Sequence, residues 1–178
     1  MIGLGIGLLS LMPRIGVLDA DDARNVNYLP IFFVAAATSL SNVLVQTKAL
    51  DVVTTVLFDW MKPHITGGLG STMILYWSAF AYHIIIGNEI AMLSTSIPIL
   101  MQYAREHAIN PLALGMIWTF GAGPKIFLYE SGVLVVGYSY GYFSNRDMIK
   151  VGAILSVVTA LILLLLVPLY WPLIGITR

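Results

Sequence analysis

Glu89, Lys125 and Glu130 carry the chemistry this chain has to explain, because each is an ionisable group set in sequence that otherwise excludes charge. Glu89 follows 26 residues free of Asp, Glu, Lys and Arg and precedes 15 more, and Glu130, shortly after Lys125, precedes another 15. An ionised side chain at bilayer depth costs roughly 2.5–3.5 kcal/mol on insertion scales, so two unpaired carboxylates there would cost about 5–7 kcal/mol. Each acid must bind a cation, hold a proton or pair with Lys125. Burial favours the neutral carboxyl and a nearby lysine favours the charged one, which makes such a group suited to proton or cation coupling. The competing reading is structural, with the three groups satisfying one another inside a helix bundle.

Both acids stand beside glycine-containing breaks, Gly87-Asn88 and Ser131-Gly132. An Asn amide donates to an anion and its carbonyl accepts a cation, while a Ser hydroxyl can do either. A helix that starts at such a break turns free backbone N–H groups towards an anion, worth roughly 0.3–1 kcal/mol each. Gly87, Asn88, Ser131 and Gly132 are therefore candidates for substrate binding, and Glu89, Glu130 and Lys125 for cation or proton coupling. Against this, Gly87-Asn88 could be the turn of an ordinary helical hairpin, and Lys125 could snorkel or attract an anion. Discontinuous hydrophobic segments with polar residues are the sequence pointer to a transporter's binding site.

The elements that must position these residues are membrane helices. The chain is 58% hydrophobic and 10% charged, with a mean hydropathy of +0.88, outside the range of a soluble globular domain. Residues 151–177 form 27 uncharged positions and residues 25–47 a second stretch of spanning length. Residues 1–12 form a third apolar stretch, which reads as mature helix cut short at its start, since no basic n-region precedes it. A zero formal charge offers no basic surface for nucleic acid, and the lack of cysteine excludes disulfides and thiolate metal sites. His64, His83 and His107 share no short spacing, which argues against a metal site. No nucleophile–base motif suggests an enzyme.

Along the chain, residues 13–27 read as a polar connection and residues 27–45 as a helix. In residues 49–62, Leu50, Val53, Leu57 and Trp60 recur at helical spacing opposite Asp51, Thr55, Asp59 and Lys62, as in a helix lying in the interface. Residues 65–86 and 90–103 are apolar arms either side of Gly87-Asn88-Glu89. They are either two spanning helices or a re-entrant hairpin, and the short second arm favours the hairpin. A helix from Pro111 to residue 127 follows, then a break at 128–132, a second half at 133–143, a polar exit at 144–150 and a last span at 151–174. Loop charges tie between the two sides, so orientation is open.

In the order of these elements, and in the stretches 108–114 (AINPLAL), 141–148 (GYFSNRDM) and 168–173 (PLYWPL), the chain resembles the C-terminal repeat of the divalent anion/sodium symporter family over nearly its whole length. The resemblance implies an all-α integral membrane fold, one repeat of an inverted-repeat transporter. The domains it implies are scaffold helices at 1–48, an interfacial helix at 49–62, a transport region at 63–148 and a C-terminal helix at 149–178. It implies cation-coupled transport of small carboxylates or inorganic anions, with no cofactor beyond a coupling sodium ion or proton. It also implies an N-terminal repeat as partner, a dimer, and a multi-pass location in the cell (inner) membrane. In that family a Ser-Asn-Thr motif at the hairpin tip binds substrate and helps form a sodium site. Here Gly87, Asn88 and Glu89 stand in its place, and residues 131–134 replace a Thr-Pro-Pro-Asn-like loop. The added carboxylates make dependence on pH rather than sodium the expectation. The alternative reading is a non-transporting membrane subunit or a truncated fragment that needs a partner chain.

Overall fold

A computed structural model describes residues 2–10, 12, 17–65 and 68–176, and these form helices and connecting turns without a strand. The described helices are α1 (Ile2–Ser10), α2 (Ala20–Arg24), α3 (Leu29–Gln46), α4 (Ala49–Met61), α5 (Leu69–Ile86), α6 (Glu89–Glu106), α7 (Pro111–Ala122), α8 (Gly132–Ser139) and α9 (Asn145–Leu165). Part of the expected polar connection, residues 13–16, lies outside the described residues. Within that connection Asp19 starts α2 as a capping box, its carboxylate accepting from the N–H groups of Asp21 and Asp22.

Two elements are long and apolar enough to cross a membrane among the described residues: Leu69–Ile86, and the 30-residue run Asn145–Ile174. At 1.5 Å per residue these reach about 27 and 45 Å. A third exists if α3 and α4 count as one bent span, but they meet at 73° across Lys48, which holds a left-handed conformation at φ 57. A turn that sharp suits a helix that leaves the bilayer and lies along it.

The buried stripe of α4 differs from the expected one. Leu50, Thr54, Phe58 and Met61 face the bundle, while Val53 and Trp60 stay exposed. The stripe was misread because Thr54 is polar. Its hydroxyl is satisfied inside the protein by Leu50 O and by the Tyr82 hydroxyl, both at 2.6 Å. At the end of α4, Lys62 Nζ donates to Asp59 Oδ1 at 2.9 Å, and this bond raises the Lys62 pKa above its usual value.

The core lies where α5, α6 and α7 pack together, closed on one side by α9. Gly121 lets α7 approach α5 closely, since a Cβ there would stand 2.5 Å from Tyr76 O. Fully buried Trp118 donates from Nε1 to Ser96 Oγ at 2.9 Å, and that hydroxyl donates on to Met92 O at 2.6 Å. The chain of bonds ties α7 to α6 and leaves neither polar group unpaired. Tyr76 in turn donates to Ser156 O at 2.7 Å and holds α5 to α9.

Four boundaries depart from expectation, the first being that α8 ends at Ser139 rather than residue 143. The helix begun at Pro111 stops at Ala122 rather than residue 127, because Pro124 disfavours helix in the residue before it and cannot donate the next backbone bond. The expected polar exit at 144–150 is instead the first turns of α9, started by a capping box in which Ser144 and Asp147 bond one another's backbone. Finally α6 has 18 residues, as many as α5, because it continues through Arg105 and Glu106.

Candidate functional site

The first half of the site is the turn between α5 and α6. Gly87 closes α5 in the left-handed conformation, φ 65, where an L side chain is strained, and its N–H donates to His83 O at 2.7 Å. The ring of Tyr129 lies so near that a Cβ on Gly87 would meet Tyr129 Cδ2 at 2.7 Å. Tyr129 also reaches past the turn, its hydroxyl donating to Ile84 O at 2.7 Å. Asn88 then starts α6 as an N-cap, its Oδ1 accepting from Ala91 N at 3.0 Å. The cap engages the carbonyl end of the side chain and turns the role of Asn88 towards its amide donor.

The second half is the break between α7 and α8, which runs from Gly123 to Ser131 and contains one 3₁₀ turn, Leu128–Glu130. Its backbone is seated directly on α9. A Cβ at Gly152 would overlap the carbonyl oxygen of Lys125 and come within 2.9 Å of Ile126 Cα. Position 152 must therefore be glycine for the break to lie where it does. The break places Lys125 so that Nζ bonds Glu89 Oε2 at 2.8 Å and Ala122 O at 2.7 Å, with His83 Nε2 at 3.4 Å. The side chains of Lys125 and Glu89 are 18% and 39% exposed, so the pair is only partly shielded.

Glu130 is different. It is 4% exposed, its Oε2 accepts from Ile126 N at 3.0 Å, and Oε1 has no hydrogen-bond partner. Of the expected pairs with Lys125, the structure forms the one with Glu89 and not a direct one with Glu130, because the 3₁₀ turn folds Glu130 back onto its own loop. Ser131 precedes α8 with no side-chain bond to its own helix, which leaves the hydroxyl uncommitted as a cap.

These two halves line one open-sided cavity of about 220 Å³. Gly87, Asn88, Glu89, Glu130, Ser131 and Gly132 all line it, so six of the seven residues singled out by type and spacing meet at one place, and Lys125 joins through Glu89. Two helix starts open onto the same space, and the volume falls below the roughly 300–1,000 Å³ typical of pockets for drug-sized ligands, which suits a small anion. Sequence reasoning missed the wall formed by Phe33, Val34 and Thr38 of α3 and the part played by Tyr129. Gly132 gives a trace of the α3 contact, since a Cβ there would stand 2.9 Å from Val34 Cγ2. His83 is fully buried beside Lys125 and does not line the cavity. His64 and His107 each bond the carbonyl four residues earlier, and no group of three potential metal ligands occurs among the described residues.

A cavity at which helices break and restart is how secondary transporters present N–H groups to an anion within a membrane. The family model for the sodium:sulfate symporter transmembrane region matches residues 1–177, and the chain belongs to that family, the divalent anion/sodium symporters. It is an integral membrane protein of a family that couples sodium to anion movement. Neither a curated protein nor a solved structure matches it.

Proposed function

We propose that this chain supplies one anion-binding half of a multi-pass, cation-coupled transporter for small inorganic anions or carboxylates in the cell (inner) membrane. In this reading an N-terminal inverted repeat supplies the other half, and the assembled transporter is a dimer. The observation that carries the reading is the convergence of residues 87–90 and 129–132 on one cavity despite some 40 intervening positions. Gly87 and Gly132 let the chain approach closely, the Asn88 amide and the Ser131 hydroxyl donate to the anion, and the Lys125–Glu89 pair holds the two halves in register.

The test is anion affinity in the transporter purified from its own membrane by a tag on this chain, so that accompanying chains are retained. Asn88→Ser keeps a good N-cap while removing the amide, and Ser131→Ala removes the hydroxyl. Each variant should weaken sulfate or succinate binding about tenfold, the equivalent of about 1.4 kcal/mol. Unchanged affinity in both would remove these side chains from the site.

The reading also makes α5 and α6 a re-entrant hairpin. Its support is that the tip abuts the break between α7 and α8, two half-helices of 12 and 8 residues, which places the tip at the depth of that break. Because the chain has no native cysteine, single cysteines at Lys62 and His107 can be labelled cleanly. Both should react from the same side of the membrane; reaction from opposite sides would make α5 and α6 two full spans.

A further inference from the structure

The cavity contains two acids, and only one is neutralised. The ammonium of Lys125 has all of its donors directed elsewhere, towards Glu89 Oε2, Ala122 O and His83 Nε2. No Lys, Arg or His forms an ion pair with Glu130 among the described residues. The other neighbours give it no charge. Tyr129 directs its hydroxyl to Ile84 O, and from α3 the cavity receives Phe33, Val34 and Thr38, the Thr38 hydroxyl being bonded to Val34 O at 2.7 Å. From α9, what lies against the break is Gly152, which brings no side chain.

Oε1 of Glu130 is thus a buried carboxyl oxygen with no partner, on a residue that lines the space where two helices begin. Left ionised, Glu130 would carry a negative charge in the cavity to which those helix starts attract an anion, and it would repel the ligand. Protonated, the carboxyl becomes an O–H donor without an acceptor; it is enclosed while the cavity is empty, and a turn about its soft terminal torsion brings the O–H to the cavity, where an oxygen of the anion is the missing acceptor. We propose that Glu130 is a proton-carrying ligand of the transported anion, binding it as the neutral acid through Oε1–H, so that one proton enters and leaves the site with each anion. The proton comes from solvent and returns to it on release, and no bond within the anion is made or broken. This rests on the reading of the cavity as the anion site.

The experiment measures radiolabelled sulfate and succinate binding, with proton uptake from weak buffer followed by a pH indicator, with and without sodium, on the transporter purified through a tag on this chain. Measured from pH 5 to 9, wild type should take up as much as one proton per anion bound at the pH values where the empty site has released its proton, and its affinity should fall as pH rises through that range. Glu130→Gln, whose amide donates without needing a proton, should bind the anion with no proton uptake and with an affinity indifferent to pH. Anion binding by wild type without proton uptake overturns the proposal and leaves the site standing, as does a Glu130→Gln variant that keeps the wild-type proton uptake. Loss of anion binding by Glu130→Gln, where the wild type binds only with sodium and takes up no proton, overturns the proposal and assigns the Glu130 carboxylate to a sodium ion instead. Failure of wild type to bind either anion overturns the site as well. If Glu130→Gln does not fold, the wild-type proton count alone decides.

Discussion

Glu89 and Glu130 are the same kind of residue lining the same cavity, yet the protein treats them in opposite ways. Glu89, at the first turn of α6, faces an ammonium at 2.8 Å and remains partly exposed. Glu130, folded back in the break, faces backbone N–H groups of its own loop and no ion-pair partner, and is almost completely enclosed. Pairing makes the first acid a fastener between two segments of chain, and isolation leaves the second chemically open. A buried charge is thus read by what its neighbours leave unsatisfied, and residue type alone would have given both acids one role.

The strongest way to break this contrast is to remove the cation. Lys125→Met leaves Glu89 without its partner; loss of one member of a buried pair costs roughly 3–5 kcal/mol, and the partial exposure of Glu89 brings the expected loss down to about 1–3 kcal/mol. Thermal unfolding in detergent measures it. Adding Glu89→Gln to Lys125→Met should restore most of the stability, whereas adding Glu130→Gln should not. Rescue by Glu130→Gln alone would exchange the roles of the two acids.

A smaller change tests whether the two halves are held together by shape as well as by charge. Gly87→Ala forces a side chain into the left-handed region, at roughly 1–2 kcal/mol, and pushes on the Tyr129 ring. Stability should fall by about that amount, and anion affinity should fall severalfold as the break is displaced. Unfolding and binding measured on the same preparation check it; a stability loss with unchanged affinity would mean that the Tyr129 contact does not shape the site.

Much of this was legible in the sequence, for a physical reason. In hydrophobic surroundings every charge has to be justified, so Glu89, Lys125 and Glu130 stood out, and the glycines beside them marked the places where helices could end. What was not legible lay in backbone geometry and distance along the chain. The N–H of Ile126 that donates to Glu130 has no letter of its own, and the α3 wall comes from residues about 50–100 positions before those it faces. Other signals were present and passed over. Pro124 should have ended α7 early, and Ser144 with Asp147 three residues later is a helix-start signature. The face of α4 was misassigned because burial of Thr54 depends on a hydroxyl 28 positions away.

The glycine at position 152 also sets an order of events. Ribosomes deliver the chain from its N-terminus, so every residue that lines the cavity is synthesised before the helix surface on which the break rests. A chain halted before residue 152 would possess the full set of lining side chains and lack the seat that holds Lys125 and Ile126 in place. The cavity is therefore finished from its far side, by the arrival of the C-terminal helix, and the last span is as much a part of its assembly as the residues that line it.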